Sequence, residues 1–246
     1  MKKIIVLALC LVLSSVILAG CSDNNEAFEE KSYTPDIPIN KINLDVQDRE
    51  IEVSLSEDGQ VHIQYSENSK EYYDISVSDK NVLTMTSASN KDWTDYIGGK
   101  PSAENRKISL QIPDALLENL TLSTTNEDIT LSALAVTGSI DISSNGGDIA
   151  FADLAVGNTL AINVKNGDIS GTVLGSYDDF AIQSEIKKGE SNLPGHKNGG
   201  EKTLNVSCNN GDVNIAFVGT FVKTINNVTN APAPPTKAQI PATVLP

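Results

Sequence analysis

Arginine is nearly missing from this 246-residue chain: only Arg49 and Arg106 occur, against an acidic excess that sets the formal net charge at −14. A surface so poor in guanidinium groups is ill equipped to clamp phosphate or carboxylate bidentately. The acidic balance also excludes a nucleic-acid partner, whose phosphates need Lys and Arg to neutralise them. Cysteine is almost as scarce. Cys10 and Cys21 sit at the N-terminus, so Cys208 stands alone in the body and no intrachain disulfide is available. Histidine occurs only as His62 and His196, neither with a second His, Cys or Glu at ligand spacing, and no zinc site is expected. Trp93 is the single tryptophan, in a polar stretch with Tyr96. That pair reads as pinning a loop to the body, with contact to a sugar or partner as the alternative. Beyond residue 20 there is no long apolar run.

The apolar run that does exist is at the start. Lys2 and Lys3 precede an almost unbroken apolar stretch over residues 4–17, too short to span a bilayer comfortably. Leu18, Ala19, Gly20 and Cys21 follow, and they resemble the lipobox of exported bacterial lipoproteins. The resemblance implies cleavage before Cys21, lipidation of its thiol, and a membrane partner reached through that lipid. Stable anchoring needs two or more acyl chains. The expected location is therefore the cell membrane on its extracytoplasmic face, with a monoderm membrane favoured over an outer membrane. The polar residues after Cys21 read as a flexible tether over 21–39.

What the body has is a repeat. Leu120, Ile140 and Leu160 open three segments of equal length, and Asp128, Asp148 and Asp168 recur inside them at the same period of twenty residues. Phe180 begins a fourth copy, interrupted by an insertion over about 187–203, and Leu204 to Ile215 closes the series around Asp212. Apolar residues alternate within each copy, as on a strand with one buried face: Leu122, Ile142, Ile162, Ile182 and Val206 form one column. Ile129, Ile149, Ile169 and Val213 form a second after the polar corner, and Leu134, Leu154 and Leu174 a third. One copy cannot bury its apolar face, but stacked copies can. The expected fold is all-β, a parallel β-helix or β-solenoid of roughly twenty-residue coils. A sandwich of antiparallel hairpins is the competing reading; it would not need the same residue types at a fixed period.

Upstream, alternating runs at 42–46, 51–55, 61–65, 73–77 and 108–112 predict a less regular β cap. Asp58-Gly59 signals a hairpin between two of them. Residues 87–106 read as a polar loop. The body is expected to span 40–218, with a tail over 219–246 that is disordered at least from 230, where five prolines fall.

The repeated corners, as at Asn166-Gly167-Asp168-Ile169, and the turn at Ile112-Pro113-Asp114 are similar to a bacterial domain of unknown function labelled "putative adhesin". Gly175 to Phe180 and Gly200 to Val206 strengthen the likeness, which covers about residues 40–218. The resemblance implies a β-repeat domain at the cell surface or envelope, with some relatives beside envelope-stress regulators, and it carries over no catalytic residues. The Pro-rich tail and the Lys187-Lys188 pair, standing where other copies have Gly-Asp, depart from the pattern.

Asp128, Asp148, Asp168 and Asp212 are the candidate site. Each is expected to cap backbone N–H groups of its own corner. Calcium bridging between coils is the sharper alternative, in a ladder that Lys188 would end after three rungs. A β-helix polysaccharide lyase would need a base near acidic sugars; Arg49 and Arg106 lie outside the repeats, and Lys165 and Lys187 read as offsets to local acidity. Cys208 shares a repeat position with Thr124, Ser144, Val164 and Ser184 and reads as a small core residue. With catalytic, cofactor-binding and metal residues all expected to be none and Cys21 the one modified position, the expected function is a non-enzymatic, surface-anchored interaction module. Its partner would be an envelope component or protein, with the module acting as an accessory to envelope-stress signalling; host adhesion is the alternative.

Overall fold

A computed structural model describes residues 26–92 and 100–219. The expected signal segment, Cys21, Trp93, Tyr96 and the Pro-rich tail lie outside the described residues. The chain is all-β and builds two largely parallel nine-stranded sheets that face each other across one core.

The repeats supply the middle of both sheets. β8 (Asn119–Asn126), β11 (Ser139–Gly146) and β13 (Thr159–Asn166) pair side by side in parallel within the second sheet. After each corner the chain crosses to the first sheet, as β9 (Ile129–Leu131) with β10 (Leu134–Val136), then β12 (Ile149–Val156) and β14 (Ile169–Leu174). Register follows the twenty-residue period: Leu120 lies beside Ile140 and Ile140 beside Leu160, all fully buried. Alternation thus does what it must, turning one row of each strand into the core and leaving the next for solvent. The third column is shifted. Leu154 pairs with Val173, not Leu174, because a bulge at Asp153 (φ 48) inserts one residue into β12, with the Thr172 hydroxyl donating to the Asp153 carboxylate.

Coil order departs from sequence order at both ends. β15 (Phe180–Lys188) follows β14 in the chain, yet β17 (Lys202–Asn210) takes the place beside β13, and β15 pairs outside it. β18 (Val213–Val218) likewise pairs directly with β14. The insertion therefore does not interrupt the stack but closes it. Leu193 is 8% exposed against the last coil, Ser191 bridges to Val213, and β16 (His196–Lys197) runs antiparallel to β15. A stack of coils needs such a cover, or its last layer would present an apolar face and a row of unpaired backbone groups.

The same transposition occurs at the other end. β2 (Lys41–Asp45) and β3 (Glu50–Leu55) form a further coil in register with the repeats, Ile42 beside Leu120 and Ile51 beside Ile129. β6 (Val82–Ser89) and β7 (Lys107–Ile112), later in sequence, pack outside that coil in parallel. Antiparallel strands then finish the edges: β5 (Glu71–Val77) on β6, and β4 (His62–Glu67) on β7. The Asp58-Gly59 turn makes no hairpin, since β7 lies between β3 and β4. Residues 87–89, placed in the loop by sequence, belong to β6.

Residues 29–33, placed in the tether, form β1 (Glu29–Tyr33), antiparallel to β4. Tyr33 is buried there, and Lys31 pairs with Glu67 at 2.6 Å. A single buried aromatic in an otherwise polar run gave too little periodicity to reveal it.

Candidate functional site along the aspartate corner

The polar corner between the two sheets repeats as Asn-Gly-Asp or a close variant, and stacking sets these turns directly above one another. Each aspartate bonds across coils, which corrects the expectation that it caps its own corner. The Asp128 carboxylate accepts from the Asp148 N–H at 2.7 Å, Asp148 from the Asp168 N–H at 2.8 Å, and Asp168 from the Asp212 N–H at 2.8 Å. A second set of bonds runs the other way, with Ile129 N–H donating to the Asp148 carbonyl and Ile149 N–H to the Asp168 carbonyl, both at 2.9 Å. The corners are thereby zipped from both sides.

Lys188 does not end this ladder. In β15, Ile182 pairs with Leu204 and Lys188 with Asn210, a register two residues away from the sequence alignment. Lys188-Gly189-Glu190 is consequently the corner equivalent to Asn210-Gly211-Asp212, and the Glu190 N–H donates to the Asp212 carboxylate at 2.8 Å. The shift also places Ile186, not Ser184, beside Cys208. At the opposite end Ile51 sits beside Ile129, so Glu50 takes the place of the corner aspartate. Burial, then the neighbouring Glu52 charge, pushes the Glu50 carboxyl above its ordinary value. Arg49 therefore belongs to a coil corner, and not outside the repeat as its sequence position suggested.

Glycine is required in this corner for a specific reason. A Cβ on Gly167 would lie 2.1 Å from the Gly147 carbonyl oxygen, and one on Gly211 would lie 2.0 Å from that of Gly167. The backbones come too close for any side chain, and both glycines hold positive φ.

Among the described residues, the ion pairs along the corner gather at its N-terminal end. Arg106 pairs with Glu127, and Lys100 lies 3.1 Å from Glu127 and 3.8 Å from Asp48. Burial would raise the Asp48 carboxyl, but a hydrogen bond from Asn126 and the nearby Lys100 outweigh it and hold it low. Lys165 and Lys187 are exposed. Among the described residues no three His, Cys, Asp or Glu side chains converge on a metal position.

Two further clusters were not visible in the sequence. Arg49 is 4% exposed and donates to the Tyr73 hydroxyl at 2.6 Å and to Glu71 at 2.7 Å, tying the first corner to the capping strand β5. Lys91 also reaches Glu71, at 2.6 Å. His62 lies between Thr34 and Asp58: its Nδ1 is 2.8 Å from the Thr34 hydroxyl and its Nε2 2.9 Å from the Asp58 carboxylate. Nucleophile, base and acid types thus meet, but Thr34 and Asp58 are exposed and Asp58 also accepts the Gln60 N–H. The trio clasps β1 to the loop before β4. His196 is exposed and contacts Asn198. Cys208 is fully buried, as a core residue should be, and burial pushes its thiol pKa up, against reactivity.

A family profile described as toastrack DUF4097 matches residues 39–215. Among curated proteins nothing matches. Of solved structures, a "putative cell adhesion protein" from Clostridium sporogenes is similar at 15% identity and a TM-score of 0.53, covering 78% of this chain and 100% of that one. A "putative adhesin" from Parabacteroides merdae is 18% identical with a TM-score of 0.36, covering 79% and 87%. At such identity the first likeness speaks for the fold alone.

Proposed function

The chain belongs to the toastrack DUF4097 family, and from that premise we propose that it is a non-enzymatic interaction module of the bacterial envelope. In this reading a lipid on Cys21 holds it on the extracytoplasmic face of the membrane. The two sheets are read as one β-solenoid, closed by a cap at each end.

The observation that carries the reading is the outer face of the second sheet. Its rows are mostly short side chains in register; one runs through Asn43, Thr121, Asp141, Ala161, Asn205 and Gln183. Short side chains lose little entropy when a partner immobilises them. A flat, regular array of this kind suits an extended partner better than a small molecule. The net charge of −14 disfavours a polyanion and favours neutral glycan or a basic protein surface. β1 starts eight residues after Cys21, so the tether reaches at most about 29 Å and keeps the domain close to the bilayer. Service to an envelope-stress system would fit this position.

The test uses a soluble, unlipidated chain from Ser22 onward, incubated with cell wall isolated from its own bacterium and, separately, with host matrix proteins, at two salt concentrations. Saturable retention on the wall supports the proposal. Retention on host matrix alone would replace it with adhesion, and retention on neither would overturn it.

A further inference from the structure

Four Asn-Gly pairs lie in the described chain, at Asn145-Gly146, Asn166-Gly167, Asn198-Gly199 and Asn210-Gly211. Asn-Gly is the dipeptide most open to spontaneous deamidation, because glycine places no side chain in the way of its own nitrogen. The structure separates the four sharply. Three sit in the stacked corner. The Gly167 N–H donates to the Asn210 carbonyl and the Gly211 N–H to the Lys188 carbonyl, both at 3.0 Å. Gly146 is the last residue of β11, paired with Asn126. Two of the three side chains are engaged too: Asn210 donates to the Asn166 amide oxygen at 2.8 Å, and Asn166 donates to the Asn145 carbonyl at 3.1 Å. An N–H already given to a carbonyl is hard to deprotonate, and the stacked backbone cannot turn its nitrogen onto the preceding side chain.

Asn198-Gly199 is built the other way. Both residues are exposed, between β16 and β17 and outside either strand. No backbone carbonyl among the described residues accepts from Gly199, and nothing lies within 4 Å of where its Cβ would be. The Asn198 amide oxygen is also 2.9 Å from His196 Nε2. With the proton on Nε2, imidazole donates to that oxygen and draws electrons from Cγ, the carbon under attack.

We propose that Asn198 is a modification site, the one Asn-Gly pair of the folded domain that converts to aspartate and isoaspartate, with His196 assisting. The Gly199 nitrogen loses its proton to solvent base and bonds to Asn198 Cγ. His196 stabilises the negative charge that gathers on the amide oxygen. The Cγ–Nδ2 bond then breaks, and the nitrogen takes a proton from water and leaves as ammonia. Water opens the resulting succinimide at either carbonyl, giving aspartate, or isoaspartate with one more methylene in the main chain. No oxidant or cofactor takes part. The product places a new negative charge on the end cap, next in sequence to Lys197, which donates to the Phe180 carbonyl at 2.8 Å. The cap would thus record the age of the protein at its exposed end.

The mature chain is incubated at neutral pH, digested, and each Asn-Gly peptide followed by mass spectrometry with isoaspartate detection. Conversion is expected at Asn198 well ahead of the other three. His196→Ala should slow it about five-fold, the ratio one neutral hydrogen bond to the reacting carbonyl is worth. Gly199→Ala should nearly stop it. Continued protection of Asn166 and Asn210 in each variant shows that the coils are intact. In urea all four sites should convert alike, which assigns the difference to the fold. Equal rates at the four sites in the folded chain would overturn the proposal, as would a His196→Ala rate equal to that of the parent.

Discussion

Replacing Asp148 by alanine and by asparagine separates the two things its carboxylate does. Asp148 accepts the Asp168 N–H and stands one coil from Asp128 and Asp168. Alanine removes the acceptor. Asp168 is exposed, so water can take over its N–H, and the loss should fall to about 1 kcal/mol, below the usual range for bonds to charged groups. In a domain of this size that lowers Tm by roughly 2–4 °C. Asparagine keeps an oxygen in the same place and removes the charge. Two like charges one coil spacing away, about 4.8 Å, each cost roughly 0.9 kcal/mol in a water-like dielectric. That relief offsets the weaker neutral bond, so Asp148→Asn should be neutral, or stabilised by up to about 1 kcal/mol at low ionic strength. The gain should vanish in 1 M salt, where the screening length is about 3 Å. Urea unfolding at two salt concentrations reads both variants. If asparagine proves as damaging as alanine, the charge itself is needed, and the reading of the corner as a hydrogen-bonded zipper is wrong. A bound cation would then be the natural alternative, and a chelator would lower the parent's Tm.

Three further outcomes follow from the same geometry. Asn163 and Ser207 are register partners and both face outward, so cysteines at these two positions, with Cys208 replaced by serine, should oxidise to a disulfide; the pair at 163 and 185 should not, because β17 lies between. Leu193→Ala removes the apolar plug at the end of the stack and should cost about 2–3 kcal/mol, seen in urea as a lower midpoint. Burial would raise the Glu71 carboxyl, but hydrogen bonds from Arg49 and Lys91 prevail and hold it below its ordinary value. Its contribution is therefore complete above the unfolded carboxyl pKa of about 4.3 and is lost as pH falls through the lower folded value. Arg49→Met should destabilise at neutral pH and flatten that acid limb.

Much of this architecture could be read from sequence because it is written locally. The twenty-residue columns, the inward rows and the glycine-bearing corners all depend on which way a side chain points, and alternation reports that directly. Which strand pairs with which edge is not local. β15 and β17 carry equally good apolar rows, and nothing within either says that the later one takes the inner place. The two-residue slip of the fourth copy hid for the same reason: a shift of two keeps every side chain on its face, so the pattern around Ile182 and Ile186 fits both registers. The N–H groups that donate to Asp128, Asp148, Asp168 and Asp212 lie one coil away from the expected place, since a turn aspartate can reach its own backbone or, once coils stack, the next. Arg49, Glu71 and Tyr73, and likewise Thr34, Asp58 and His62, meet only through the crossed order of the N-terminal cap.

Metabolic labelling with a clickable palmitate analogue, followed by fractionation and surface protease treatment of intact cells, bears most directly on the claim that this domain works from the outer face of a membrane. The account predicts a labelled, cell-associated and protease-accessible parent, and a Cys21→Ala variant that carries no label. A parent that is unlabelled, or shielded inside intact cells, would contradict it.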